Sequence, residues 1–325
     1  MSWDGRILAP RGANLADDVR SLMAQQIGSW AMLREAVSGL AHVRVKPIRV
    51  KGTELFVQFN PMRVVSTTAK VDATTIQQRP CFLCAGNLPP EEKGIAFGDE
   101  FVVLCNPFPV LPDHLVISSR EHIPQLIGGW LAEFLKVTEA LGSEWFTVYN
   151  GPRCGASAPD HLHFQACAAS AIPLFREIES WKSFQFPVSS FQPGVEVIAP
   201  AEYMVNLLVL RSSDREALVK FMVAALNHLA ELTGAPDEPL INLAATIGMN
   251  GWTVVIFPRG KHRPACFFAE GEAKLTVSPA AIDLSGVFVT PHQEHFERIT
   301  ALDIERICEE VQLDDRLFEQ WLAKF

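Results

Sequence analysis

Apolar side chains recur at three- and four-residue intervals between residues 14 and 40, at Val19, Leu22, Met23, Ile27, Trp30 and Leu33, with Asn14 and Asp17 placed as caps. That period predicts an amphipathic helix. From 42 to 71, β-branched and aromatic residues gather in VRVKPIRV, ELFVQF and RVVST, which predicts strands joined by turns. A Cys- and Pro-rich loop, RPCFLCAGNLPP (79–90), comes next. Then follow a strand FVVLC (101–105), a Pro-rich bend NPFPVLPDH (106–114), a strand LVIS (115–118), a helix over 124–141, and strands WFTVYN (145–150) and HLHFQACA (161–168).

The remainder repeats that order in worn form. A strand at 206–210 precedes a helix over 213–233, a strand at 241–248, an Asn-Gly turn at 249–251 and a strand WTVVIFP (252–258). One or two short amphipathic helices close the chain over 300–325. The pattern predicts an α+β chain of two halves sharing one plan, with mostly antiparallel sheets and packed helices. The junction falls in 170–200, dividing the chain into 1–185 and 186–325.

Composition narrows the setting. The 325 residues, 48% of them apolar, suffice for one large domain or two fused smaller ones. No leader-like start and no run long enough to cross a bilayer is present, so a cytoplasmic protein without membrane contact is expected. Seven cysteines are an odd number, and five of them (Cys105, Cys154, Cys167, Cys266, Cys308) are scattered as reduced thiols would be. A net charge of −9 argues against a long nucleic acid as partner, but leaves nucleotides open, because one phosphate site needs only a few amides and cations.

In an extended strand alternate residues share a face, so His161, His163 and Gln165 line up opposite Leu162 and Phe164. Such a polar face is not expected to be core. Its two imidazoles and amide can serve a metal, a nucleophile and a phosphate clamp, or can form a solvated strand face. The loop before it, NGPRCGASAPD (150–160), offers Gly151, Gly155, Ala156 and Ser157, whose amides can approach phosphate oxygens. Cys81 and Cys84 have the two-residue gap that lets both thiolates reach one tetrahedral ion; the alternatives are free thiols in a turn or a redox pair.

Three segments, in order, resemble the histidine-triad and galactose-1-phosphate uridylyltransferase superfamily. NGPRCGAS with HLHFQ is similar to the Asn-Gly loop and His-x-His-x-Gln strand of the uridylyltransferases and diadenosine tetraphosphate phosphorylases, and HLHFQA to the GDP-sugar phosphorylases. CNPFPVLPDHLVISSREHIPQL (105–126) resembles the family's strand, bend, strand and Arg-x-His-Ile element, and FNPMRVVS (59–66) with RPCFLC its Cys-x-x-Cys region. Together these cover about residues 59–170, and the worn second half agrees with two fused histidine-triad-like halves, the C-terminal one degenerate.

The resemblance implies a nucleotidyl transferase or phosphorylase with His163 as the nucleophile that becomes nucleotidylated. Gln165 would hold the phosphate, Ser157 and Asn150 would contact phosphate or orient the histidine, and Asn106 and His114 would line the nucleotide pocket. It also nominates His122 and His161 as the partners of Cys81 and Cys84 in a closed, structural zinc site. The substrate would be a nucleotide sugar or dinucleoside polyphosphate, and the acceptor phosphate or a sugar phosphate. Two fused halves allow a monomer or a homodimer. Four steps separate Ser157 from His161, where the uridylyltransferases have three. That favours the GDP-sugar phosphorylase branch, whereas the Cys-x-x-Cys favours the uridylyl branch.

An imidazole is largely unprotonated at neutral pH, so orienting one ring nitrogen suffices to make the other a nucleophile. Hydrolytic members of the family carry a third histidine where this chain has Gln165, and a neutral amide cannot act on water as acid or base; transfer is therefore expected. The alternatives are a histidine-triad hydrolase and a zinc-stabilised nucleotide-binding protein without turnover. The basic turn FPRGKHRP (257–264) offers Arg259, Lys261, His262 and Arg263 as a phosphate clamp or as solvated surface, and Arg63 has similar standing, raised by the resemblance. His292 and His295 read as surface or capping residues at a helix start, while His42 and His228 suggest nothing specific.

Overall fold

The computed structural model describes residues 3–68, 71–181, 193–200 and 202–325. The expected junction at 185/186 lies outside the described residues. The strands are β1 (Ile7–Leu8), β2 (Arg44–Val50), β3 (Thr53–Phe59), β4 (Gly94–Phe97), β5 (Phe101–Cys105), β6 (Leu115–Ser119), β7 (Trp145–Asn150), β8 (His163–Ala168), β9 (Glu196–Ile198), β10 (Leu208–Ser212), β11 (Ile241–Gly248), β12 (Gly251–Pro258) and β13 (Val287–Thr290). Ten of them form one sheet in the order β1-β4-β5-β6-β8-β7-β11-β12-β10-β9, and β13-β3-β2 form a second.

The order of the large sheet shows the duplication. Chain order β5, β6, helix Leu131–Leu141, β7, β8 becomes the spatial order 5-6-8-7; chain order β9, β10, helix Arg215–Thr233, β11, β12 becomes 9-10-12-11. The two units meet where β7 pairs antiparallel with β11. Ser118 of β6 stands opposite His163; laying Leu208–Ser212 on Leu115–Ser119 brings Arg211 to that place, with Thr253 opposite. The second unit thus carries Thr253 and Val255 where the first carries His163 and Gln165. It repeats the scaffold without the imidazole and the amide.

One face of the sheet packs on helices Leu131–Leu141, Arg215–Thr233 and Asp315–Leu322, through Phe134, Phe221, Phe164, Tyr149 and Trp321, all fully buried. Removing such side chains from water is the main stabilising term, about 25 cal/mol per Å2 of apolar surface. On the other face, β3 and β13 with the segment 275–311 cover Phe146, Val209, Val255 and Phe257.

Several elements depart from the pattern. Residues 14–40 form two helices, Leu15–Ser29 and Ala31–Leu40, broken at Trp30, whose backbone is extended (φ −116°, ψ 102°) and whose indole is buried. Asn14 does cap the first, accepting from Asp17 N. RVVST is not a strand: Asn60 accepts from Met62 N, Pro61 opens a 3-10 turn, and Val64–Thr67 continue as helix. Asn-Pro is a cap followed by a first-turn proline, a helix start that the β-branched content masked. The helix expected from 124 begins only at Leu131, because Pro124 and the pair Gly128–Gly129 keep 124–130 irregular. Likewise β8 begins at His163; His161 N closes a turn onto Ala158 O instead of joining the ladder.

Candidate active site

A cavity of about 650 Å3 opens on the polar face of β8. Its floor is set by the ladder: Gln165, Val116 and Leu104 stand side by side across β8, β6 and β5. His163 and Gln165 lie at one end, with Asn150, Gly155, Ala156 and Ser157 beside them. Leu83, Leu88, Phe82 and Leu104 make the other end apolar, roughly 10 Å away at two strand spacings. Contrary to the expectation of an uncovered polar face, His161 is fully buried and His163 only 4% exposed. The loop at 79–90 and the segment 262–289 close over the cavity that His163 lines.

His163 Nδ1 lies 2.8 Å from the carbonyl oxygen of His161, an acceptor only, so Nδ1 carries the proton and donates. Nε2 is left with its lone pair. Burial pulls the imidazole down to about 4, with the backbone hydrogen bond to His161 opposing, which keeps the ring neutral. His114 Nδ1 accepts from Val110 N (3.1 Å), so its Nε2–H donates to Gln165 Oε1 at 2.8 Å. The Gln165 amide nitrogen is thereby left to donate elsewhere. His114 itself is buried behind Gln165 and does not line the cavity, which corrects the expectation that it contacts nucleotide. Asn106 does line it.

The loop 150–160 is held from the second unit. Asn150 Oδ1 accepts from Asn242 Nδ2 (2.8 Å) and Ala281 N (2.9 Å). Gly155 has φ +101°, and a Cβ there would stand 2.7 Å from Ala280 Cβ, so both its conformation and its space require glycine.

Arg63, His262 and Arg263 line the cavity. Arg63 donates to Phe108 O (2.8 Å), and its guanidinium is drawn down to about 10 by burial, with Asp283 opposing. Arg259 was expected to join them, but the structure places it elsewhere. It is 2% exposed and absent from the cavity wall; Nε donates to Val311 O, Nη1 to Asn242 Oδ1 and Pro279 O, and Nη2 to Lys261 O and His262 O. All five donors are used, leaving none for a ligand.

Cys81, Cys84, His122 and His161 come together with their ligand atoms within 4.8 Å of one another. Cys81 Sγ is 3.3 Å from His161 Nδ1, and Cys84 Sγ is 3.3 Å from His122 Nδ1 and 3.7 Å from His161 Nδ1. Tetrahedral zinc bonds of about 2.3 Å to sulfur and 2.0–2.1 Å to nitrogen imply S···N edges of roughly 3.5 Å. His161 Nε2 lies 2.8 Å from Ser119 O, so it donates there and leaves Nδ1 unprotonated toward the thiols. Asp160 Oδ2 stands 3.8 Å from His122 Nε2 and Asp160 Oδ1 3.3 Å from Arg79 Nη2, which also donates to Ser157 O (3.1 Å). The four side chains are thus arranged to hold a metal ion, and that cluster is tied through Asp160 and Arg79 to the loop 150–160.

Sequence reasoning gave no role to Gln125, Asn242, Glu92 or Glu238, all buried. Gln125 sits inside EHIPQL, but nothing in an isolated glutamine signals which backbone groups it will reach. His295, read as surface or capping, is buried with Nδ1 accepting from Thr276 N (3.1 Å).

Comparison with known proteins agrees with this fold. Residues 22–168 match the family model of a domain of unknown function, DUF4922, and residues 181–324 match that of the GDPGP1-like C-terminal domain. No curated protein sequence matches the chain. Among solved structures, yeast Ap4A phosphorylase Apa2 aligns with a TM-score of 0.63 at 16% identity, over 91% of this chain and 97% of that one. Its complex with Ap4A aligns at 0.61 (16%; 91% and 97%) and its complex with AMP at 0.60 (17%; 90% and 96%). The chain thus shares the fold of Ap4A phosphorylase Apa2 over nearly its whole length, and its residues 181–324 match the model of the GDPGP1-like C-terminal domain.

Proposed function

We propose that the chain is a nucleotidyltransferase of the phosphorylase type, acting on a nucleotide sugar or a dinucleoside polyphosphate. One observation carries the reading: His163 donates from Nδ1 to the His161 carbonyl, which leaves Nε2 as a lone pair in a cavity also lined by the amide of Gln165. The nucleoside lies over Val116 and Leu104 toward the apolar end, with its α-phosphate against His163.

Nε2 attacks the α-phosphorus. A nitrogen–phosphorus bond forms, the bond to the bridging oxygen breaks, and its electron pair leaves with the phosphate or sugar phosphate. The imidazolium so formed keeps its Nδ1 proton, held by the His161 carbonyl. In the second step an oxygen of phosphate or of a sugar phosphate attacks phosphorus, and the pair returns to Nε2. Both leaving and attacking oxygens belong to phosphates, so neither step needs a proton donor, and the neutral Gln165 suffices. Its amide nitrogen, with the amides of 155–157, stabilises charge on the phosphoryl oxygens. Arg63, His262 and Arg263 hold the second phosphorylated group.

Cys81, Cys84, His122 and His161 are read as a structural zinc site. These four residues would hold zinc, which would tether the 79–90 loop and supply no substrate chemistry. His161 thereby presents its carbonyl to His163 from a fixed position.

Intact-mass measurement tests the reading, after incubation with Ap4A and with ADP-, GDP- and UDP-glucose. The expected result is one nucleoside monophosphate per chain, lost on adding phosphate and absent in His163→Gly. Release without added phosphate would instead mean a hydrolase, and label that persists in His163→Gly would remove the assignment.

A further inference from the structure

The ladder between β7 and β8 starts with Trp145 opposite Ala168 and ends with Val148 opposite Gln165. Two residues further, the same register sets Asn150 opposite His163. The ladder does not reach them. Asn150 is in register with Asn242 of β11 on its other side, and His163 with Ser118 of β6 on its other side, so the two strands part between them.

The side chain of Gln125 fills that gap. Its Nε2 donates to Asn150 O (2.9 Å) and to His163 O (3.0 Å), and its Oε1 accepts from His163 N (2.7 Å). A primary amide offers the donor and acceptor of a peptide group, so Gln125, fully buried, stands in for the missing rung. Its own backbone is anchored as well. The Tyr149 hydroxyl lies 3.0 Å from Gln125 O and 2.7 Å from Glu238 Oε1, and Glu238 Oε2 accepts from Ile127 N (2.6 Å). Glu238 belongs to the second unit, which therefore holds the segment that holds His163.

We infer that Gln125 is a positioning residue for the nucleophile, a role that rests on the function proposed above. The His163 ring is tied through Nδ1 to the chain's own backbone, so the direction of Nε2 follows the path of residues 161–163. Gln125 fixes that path against Asn150, where the phosphate-side loop begins. A shift of about 1 Å between nucleophile and phosphorus is enough to cost roughly 100-fold in rate.

The test compares the wild-type chain with Gln125→Met, a similar volume without hydrogen bonds, using whichever of Ap4A and ADP-, GDP- or UDP-glucose labels the wild type. Rapid quench gives the rate constant and the amplitude of His163 labelling, and calorimetry gives nucleotide affinity. The inference expects a rate constant lowered by about 10- to 100-fold, an amplitude still near one per chain and affinity little changed. A lowered amplitude at unchanged rate constant would mean that Gln125 only keeps the chain folded, and overturns the role. Tyr149→Phe, which keeps the amide rung and loosens its backbone, provides a second reading should Gln125→Met fail to fold. A several-fold slower rate constant at full amplitude supports the role, and an unaltered one overturns it. A wild-type chain that takes no label from any of the four removes function and role together, whereas wild-type labelling with unaltered variants removes the role alone.

Discussion

His114 and Gln165 form a donor–acceptor pair at 2.8 Å that decides which end of the glutamine amide is left to donate elsewhere. Because Val110 N occupies His114 Nδ1, the proton must sit on Nε2, and burial holds this ring down to about 3, so it stays neutral. A neutral, fixed donor takes the amide oxygen and leaves the nitrogen free for the phosphoryl oxygen that the proposed function places there. Gln165→Ala should slow His163 labelling by about 100-fold, the usual cost of losing a preorganised donor. His114→Phe should slow it about tenfold, since the amide survives but is free to turn. Single-turnover labelling measures both, and equal rates in His114→Phe and wild type would exclude the orienting role.

The candidate metal site joins Cys81 and Cys84 with His122 and His161, from three stretches far apart in sequence. Closing such long loops is where a tetrahedral ion contributes most to stability. Cys81→Ser should remove bound zinc and cost about 3 kcal/mol, which is roughly 5 °C in melting temperature. Emission spectrometry and thermal unfolding report the two effects. Full zinc content in the variant would mean that other groups hold it.

Glu92 lies at the apolar end of the cavity, where burial pushes its carboxyl up to about 8, with Arg6 opposing. Below about pH 4.5 it is protonated both folded and unfolded, so the shift costs nothing. Between there and pH 8 the unfolded chain loses the proton and the folded one keeps it, so stability falls as pH rises. Glu92→Gln should match the wild type at pH 4, become the more stable of the two through pH 5–8, and keep a constant advantage above. Urea unfolding at pH 4, 6 and 9 measures the difference, and a difference that shrinks with pH would contradict the shift.

Much of the site was legible because its residues are local in sequence. His163 and Gln165 share a strand face as period alone predicts, though His161 stands in the turn before it, and Cys81 and Cys84 show their spacing. What joins them is not local. His122 reaches the thiols, and Asn242 reaches Asn150 across 92 residues, only because β6, β8, β7 and β11 lie side by side. Periodicity also failed where side-chain hydrogen bonds override it, as at Asn60–Pro61, and where Gly128–Gly129 withheld a helix so that Gln125 could turn inward. Charge misled at the basic turn: Arg259 and Arg263 are four residues apart in one exposed-looking motif, yet one is core and the other cavity wall.

That contrast predicts opposite consequences for two arginines of one turn. Arg259 satisfies four carbonyls and Asn242 Oδ1 from a buried position, so Arg259→Met strands five acceptors and should cost about 3–5 kcal/mol. Arg263 lines the cavity, with Nε donating to Ser278 Oγ at 3.0 Å and Nη2 to Thr67 O at 3.2 Å. Its side chain is half-buried, so its charge is only partly screened. Arg263→Met should leave unfolding nearly unchanged and raise the KM for the phosphorylated acceptor about tenfold, the weight of one charge-assisted hydrogen bond. Denaturant unfolding and initial rates on both variants separate the two. If Arg263→Met unfolds the chain while Arg259→Met spares it, the division of this turn into core and cavity is reversed.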